Sequence, residues 1–198
     1  MDTFRLYEGT APLLISAPHD GTVLPDDYVE RMTDAARRTP DADWHVAQLY
    51  GFARELGASM IVPTYSRYVI DLNRPPDDTP LYPGQNTTGL CPTVQFNGDP
   101  VYLPGREPDP AEVRIRIQRY WRPYHQALTS ELERIKNQHG RAVLWEAHSI
   151  RSCVPFLFDG QLPVFNLGTA GGASCSPGLE RQLTAVLGAQ DDYDFVVN

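Results

Sequence analysis

The sequence predicts an α/β fold, one domain over residues 1–198 whose mixed, mostly parallel sheet is flanked by helices. Three observations carry this. Short apolar runs alternate with segments of helical period along the chain. A length of 198 residues with 41% hydrophobic content suffices for one substantial core. Two of the apolar runs end in histidine, as buried strands do when they deliver side chains to one edge of a sheet.

The elements follow in order. Residues 12–17 read as a buried strand. Pro25 to Arg38 is expected to be helical, with Val29 and Met32 turned inward. Asp43 to Leu56 repeats Val46, Leu49, Tyr50, Ala53 and Leu56 at helical spacing, and Gly57 supplies a stop. Ser59 to Pro63 and Arg67 to Leu72 read as strands, the second through β-branched Val69 and Ile70. Pro75 to Pro108 is loop-like, punctuated by Pro-Pro, Pro-Gly, Asn-Gly and Asp-Pro. Asp109 and Pro110 open the longest helix, which Gly140 ends and Pro123 should kink. A strand at 142–147, an apolar hairpin-like stretch from Val154 to Leu167, a helix from Pro177 to Leu187 and a strand from Tyr193 to Val197 complete the chain. It stops on that strand, where an α/β unit ordinarily returns a helix, and this reads as a fragment. Apolar surface near 193–197 and association of chains into a homo-oligomer are expected from it.

Composition narrows the partners. A formal charge of −8 disfavours nucleic acid, whose phosphates call for basic patches. No apolar run reaches membrane-spanning length, and the start lacks a signal-peptide pattern, so no membrane partner is expected. Cys91, Cys153 and Cys175 form no C-x-x-C pair and are too few for a disulfide framework. A reduced, cytoplasmic protein acting on a small anionic substrate is the reading that remains.

The chemistry centres on the two histidines. His19 ends the run Pro12-Leu13-Leu14-Ile15-Ser16-Ala17-Pro18-His19-Asp20-Gly21, and His148 ends Ala142-Val143-Leu144-Trp145-Glu146-Ala147-His148. Imidazole is the commonest protein ligand for zinc, and two leave room for a carboxylate and a water. Either histidine alone is more readily a strand-end residue bonded to backbone; the matched contexts favour a metal site. Asp43 supplies a carboxylate, although Asp41 and Asp43 both precede a helix and either could be its N-cap. Arg67 and Arg74 bracket the 67–72 run, and Asn73-Arg74 lies at its exit. A guanidinium beside an amide suits bidentate capture of a carboxylate, against the plainer pairing of an arginine with Asp71, Asp77 or Asp78. Ser149 lacks a nucleophile elbow. His125 is read as core, His139 as a helix C-terminal contact and His45 as exposed.

These runs resemble the N-formylglutamate amidohydrolases, also called N-formylglutamate deformylases. The resemblance covers essentially the whole chain, through Ser16-Ala17-Pro18-His19-Asp20-Gly21, Asp41-Ala42-Asp43-Trp44-His45-Val46, Tyr65 to Arg74, Thr88-Gly89-Leu90, Trp121-Arg122-Pro123-Tyr124-His125, Glu146 to Arg151 and Phe165 to Thr169. It implies a fold of the zinc carboxypeptidase and muramoyl-amidase type and hydrolysis of N-formyl-L-glutamate to formate and L-glutamate in histidine degradation. It implies one zinc ion held by His19, Asp43 and His148, with Asn73, Arg74, Arg67 and Arg151 for the substrate carboxylates. Family members continue past the position of Asn198, and that tail carries the acid expected to be the general base. Within this chain Glu146 is the first candidate for a catalytic carboxylate, and Asp20 is another. A zinc amidase for another N-acyl amino acid and a metal-free carboxylate-binding domain remain open readings.

Overall fold

The structure is a computed structural model that describes residues 1–79 and 88–198. The chain divides into two compact units, 1–150 and 151–198. In the first, four strands lie in the order β1 (Phe4–Tyr7), β3 (Ser59–Pro63), β2 (Leu13–Ser16), β4 (Val143–Glu146). β1 runs antiparallel to β3; β2 is parallel to both β3 and β4, so the sheet is mixed and mostly parallel, as the sequence predicts. Both faces of the central strands β2 and β3 are covered. Leu14 and Ile61 point to one side, against Tyr124, Leu128 and Ile135. Ile15, Met60 and Val62 point to the other, against Val46 and Ala53. That period-two division along short apolar strands is what two covered faces require.

Helices α1 (Asp26–Val29), α2 (Val46–Leu49) and α3 (Gly51–Glu55) are short. The helix expected over Pro25 to Arg38 is therefore confined to α1 and a 3₁₀ turn at Ala36–Arg38; Tyr28, Met32 and Ala36 are buried, and Val29 is half-buried. The one expected over Asp43 to Leu56 starts at Val46 and breaks at Tyr50. Val46 and Ala53 are buried, but Leu49 and Leu56 are exposed, so the apolar spacing overstated the packed face.

The long helix is as expected. Asp109 caps it, accepting from the amides of Ala111 and Glu112 at 2.8 Å, and Pro110 occupies its first turn. It runs as α4 (Pro110–Arg116), a π-helical turn at Ile117–Trp121 and α5 (Arg122–His139), with Gly140 left-handed at its end. Pro123 has no amide to give to the preceding turn, and the widened π turn accommodates that missing bond.

The second unit contains β5 (Phe165–Leu167) and β6 (Phe195–Val197), paired in parallel, and α6 (Pro177–Gly188) between them. No hairpin forms over Val154 to Leu167: only β5 is a strand, and its partner is β6. Tyr193 and Val196 are exposed, in line with the apolar surface expected there. No helix among the described residues is long and apolar enough to cross a membrane.

The remaining difference is at Arg67 to Leu72, which is not a strand. It is a buried turn-rich segment in which Tyr68, Val69, Ile70, Asp71 and Leu72 are all nearly inaccessible. The amide of Val69 turns back to the Ser66 carbonyl at 2.8 Å, and that of Asp71 reaches Leu90 at 2.7 Å. The apolar run reflects burial without sheet pairing.

Candidate active site

β2 and β4 are neighbours and parallel, so the segments leaving their C-terminal ends emerge together. His19 follows β2 and His148 follows β4, and their rings sit 4.8 Å apart. Gly21 fixes the first of these segments: a Cβ there would lie 2.3 Å from the Tyr65 carbonyl oxygen. Only glycine permits that approach.

Asp43 completes a triad. Its Oδ2 lies 3.0 Å from His148 Nδ1, and its Oδ1 lies 3.8 Å from His19 Nδ1. One donor atom from each of His19, Asp43 and His148 falls within 4.8 Å of the others. Two imidazole nitrogens and one carboxylate oxygen form a donor set suited to zinc, whose tetrahedral ligands lie about 3.3 Å from one another. One donor atom from each residue already lies within 4.8 Å of the others, so the donor set and its convergence fit such an ion.

The competition between Asp41 and Asp43 for a helix cap resolves in favour of neither. Asp20 caps α2, accepting from the Ala47 amide at 3.0 Å. Asp41 is held by the Tyr68 hydroxyl at 2.6 Å and the Phe96 amide at 2.8 Å. Asp43 is thereby left to the histidines, with the Ser149 amide at 3.2 Å on its Oδ2. Ser149 Oγ accepts from the Trp44 amide at 2.7 Å, tying the segment after β4 to the one bearing Asp43.

His19 is oriented from behind. Its Nε2 donates to Asp71 Oδ1 at 2.7 Å, which leaves Nδ1 with its lone pair toward Asp43. Asp71 Oδ2 accepts from Arg67 Nη2 at 2.6 Å, and Oδ1 from the Asn73 amide at 2.9 Å. Burial, and then the Arg67 charge, push the His19 pKa down, so the ring is neutral as a metal ligand must be. Burial opposes ionisation of Asp71, but the His19 ring, Arg67 and the Asn73 amide together hold its carboxyl below the usual range. His148 is held on its other nitrogen, where the Asn73 side-chain amide meets Nε2 at 3.1 Å.

The other residues anticipated from sequence are placed as follows. Asn73 is exposed and touches His148 directly. Arg67 is buried and spoken for: besides Asp71 it reaches Thr88 at 3.3 Å, points Nη1 at His19 Nδ1 at 3.5 Å, and lies over Phe96. Arg74 is half-buried; its backbone is fixed by Asp71 and Trp121, while no ion pair holds its guanidinium among the described residues. Glu146, in β4, accepts from Ser16 Oγ at 3.0 Å, and Ser16 Oγ also meets the Tyr124 hydroxyl at 2.8 Å. Glu146 is exposed as a residue, but desolvation around its carboxyl raises the pKa, partly offset by Ser16. Arg151 is exposed and opens the second unit. His125 Nε2 bonds the Leu72 carbonyl at 2.9 Å and its ring stacks on Trp121, a packing role as anticipated. His45 and His139 are exposed.

Sequence reasoning took Asp71 only as a structural partner for an arginine. It pairs with Arg67 and orients His19 at once. Its spacing two residues before Asn73 and four after Arg67 was the available signal.

A family model described as N-formylglutamate amidohydrolase matches residues 11–198. The chain is 51% identical over 192 residues to an N-formylglutamate deformylase of Pseudomonas putida, covering 97% of this chain and 72% of that protein. It is 52% identical over 198 residues to one of Pseudomonas aeruginosa, covering all of this chain and 74% of that one. Among solved structures, an N-formylglutamate amidohydrolase of Ralstonia eutropha superposes with a TM-score of 0.80 at 30% identity, over 100% of this chain and 77% of that one. A gene product of Agrobacterium tumefaciens gives 0.72 at 18% identity, over 100% and 73%, and shares the fold.

Proposed function

The chain belongs to the N-formylglutamate amidohydrolase family, and from that premise we propose that it hydrolyses N-formyl-L-glutamate to formate and L-glutamate, a step of histidine degradation. The observation that carries the reading at the level of chemistry is the convergence of His19, Asp43 and His148 within 4.8 Å, with Asn73 on the same cluster. One zinc ion is proposed as the cofactor of that triad; when bound, it supplies Lewis-acid polarisation of the formyl carbonyl.

The chain's own residues do the rest. Asp71 keeps His19 in one tautomer and aimed, through the Nε2 proton it accepts, while burial keeps the ring neutral. Arg74, whose guanidinium has no ion pair among the described residues, offers a fork for a glutamyl carboxylate, and fixing that end places the formyl carbon against the cluster. Arg67, already paired with Asp71, contributes charge beside His19. Arg151, three residues past His148 in sequence, is the candidate for a second carboxylate contact. Glu146, with its pKa raised by desolvation of its carboxyl, is proposed to take the proton from the attacking water and deliver it to the departing glutamate nitrogen as the C–N bond breaks. A cytoplasmic setting is proposed with this activity.

The test is formate release from N-formyl-L-glutamate, with metal analysis of the same preparation and a panel of N-acetyl-glutamate and N-formyl-aspartate. About one zinc per chain, loss of turnover on chelation and preference for the formylated glutamate are expected. No formate release from any member of the panel would sink the activity. Turnover without bound metal and indifferent to chelator would sink the zinc assignment alone.

A further inference from the structure

Arg116 is fully buried, at 0% exposure, far along α4 and outside the cluster around His19. A buried guanidinium is costly unless every donor is matched. Its partners lie largely on the segment that carries the site. Nη1 donates to the carbonyl oxygens of Val69 at 2.8 Å and Tyr68 at 3.4 Å, and to the Tyr102 hydroxyl at 2.9 Å. That hydroxyl donates in turn to the Tyr68 carbonyl at 3.2 Å. On its other side Arg116 is gripped by Glu112 through Nε and Nη2, and lies over the Tyr28 ring at 4.2 Å. Glu112 is itself held by both terminal nitrogens of Arg31, at 2.8 and 2.6 Å.

Segment 66–74 needs such a partner. It is buried over 66–72 and lies outside the sheet, so its carbonyls have no ladder to enter. Within nine residues it bears Arg67, Asp71, Asn73 and Arg74. Its backbone conformation therefore sets the direction of Asp71 toward His19 and of Arg74 toward substrate. We propose that Arg116 is a positioning residue for the reaction: it fixes the Tyr68 and Val69 peptide units and, through them, the placement of Asp71 and Arg74. This rests on the activity proposed above.

Arg116→Lys keeps the charge but cannot span Glu112, both carbonyls and Tyr102; Tyr102→Phe removes the hydroxyl bridge and keeps the ring. Each variant is assayed for formate release well below its melting temperature, and amide hydrogen exchange is followed at 68–73 and in α5. In Arg116→Lys, kcat/KM should fall by roughly 10–10²-fold, with kcat lowered through Asp71 and KM raised through Arg74. Exchange should quicken at 68–73 while α5 stays protected, and Tyr102→Phe should show the same pattern more weakly. Wild-type kinetics in both folded variants overturn the proposal, as does faster exchange spread evenly through the core. If the unaltered chain releases no formate, the activity has failed by itself, and exchange at 68–73 alone decides whether Arg116 sets the segment.

Discussion

The two histidines of the triad are supported in opposite ways. His19 is 6% exposed and backed by a buried chain of charge, Asp71 and then Arg67, whose side chains are 1% and 7% exposed. The His148 side chain is 33% exposed and backed by the amide of exposed Asn73. A ligand with a buried, ionised second partner is locked in tautomer and direction before anything binds. One held by a neutral amide at the surface can adjust. The site thus pairs a rigid arm with a compliant one, joined by Asp43.

The strongest way to break this asymmetry is at Asp71. Asp71→Ala frees His19 Nε2 and strands the Arg67 charge in the interior, and breaking a buried pair from one side costs about 3–5 kcal/mol. Thermal melting should fall accordingly, and formate release should drop by at least ~10²-fold per folded molecule. A variant of native stability and activity would show that His19 needs no backing. Gly21→Ala is next. Its methyl group would overlap the Tyr65 carbonyl, so the segment bearing His19 must shift, at about 1–3 kcal/mol and about tenfold in kcat. Unchanged melting and kinetics would mean that this approach is slack. On the compliant arm, Asn73→Ala should leave stability within about 0.5 kcal/mol, because the side chain is exposed, yet lower kcat/KM roughly tenfold. A large loss of stability there would erase the distinction between the arms.

What could be read from residues alone follows the same division. β2, β3 and β4 were legible because their apolar runs are short and bounded, and the two histidines were legible because each ends such a run. The long helix was legible down to its Asp109 cap and Gly140 stop, since those are local signals. Segment 67–72 was not: β-branched residues mark burial in a strand and in a packed loop alike, and the partners of its Val69 and Leu72 carbonyls, Arg116 and His125, lie more than forty residues away. The role of Asp43 was open for a related reason. Which aspartate caps α2 depends on Asp20, brought there by the fold rather than by proximity in sequence.

The smallest effect expected is one of pH, and it sharpens the comparison from a distance. Hydrogen bonds from Arg31, and then from Arg116, hold the Glu112 carboxyl down at about 2, against an ordinary 4.5. A carboxyl with its folded value below its unfolded one contributes stability that is complete above about pH 4.5 and is lost as pH falls toward about 2. Protonating Glu112 weakens the grip on Arg116, and Arg116 supports the segment that backs His19 and not the strand that bears His148. Acidification through this window should therefore loosen 68–73 ahead of β4, visible as earlier loss of amide protection at 68–73 than at 143–146. Glu112→Gln should flatten that part of the stability–pH curve while lowering stability at neutral pH. Simultaneous loosening of both regions in the unaltered chain would mean that acid acts on the sheet as a whole, and the rigid arm would have no separate anchor.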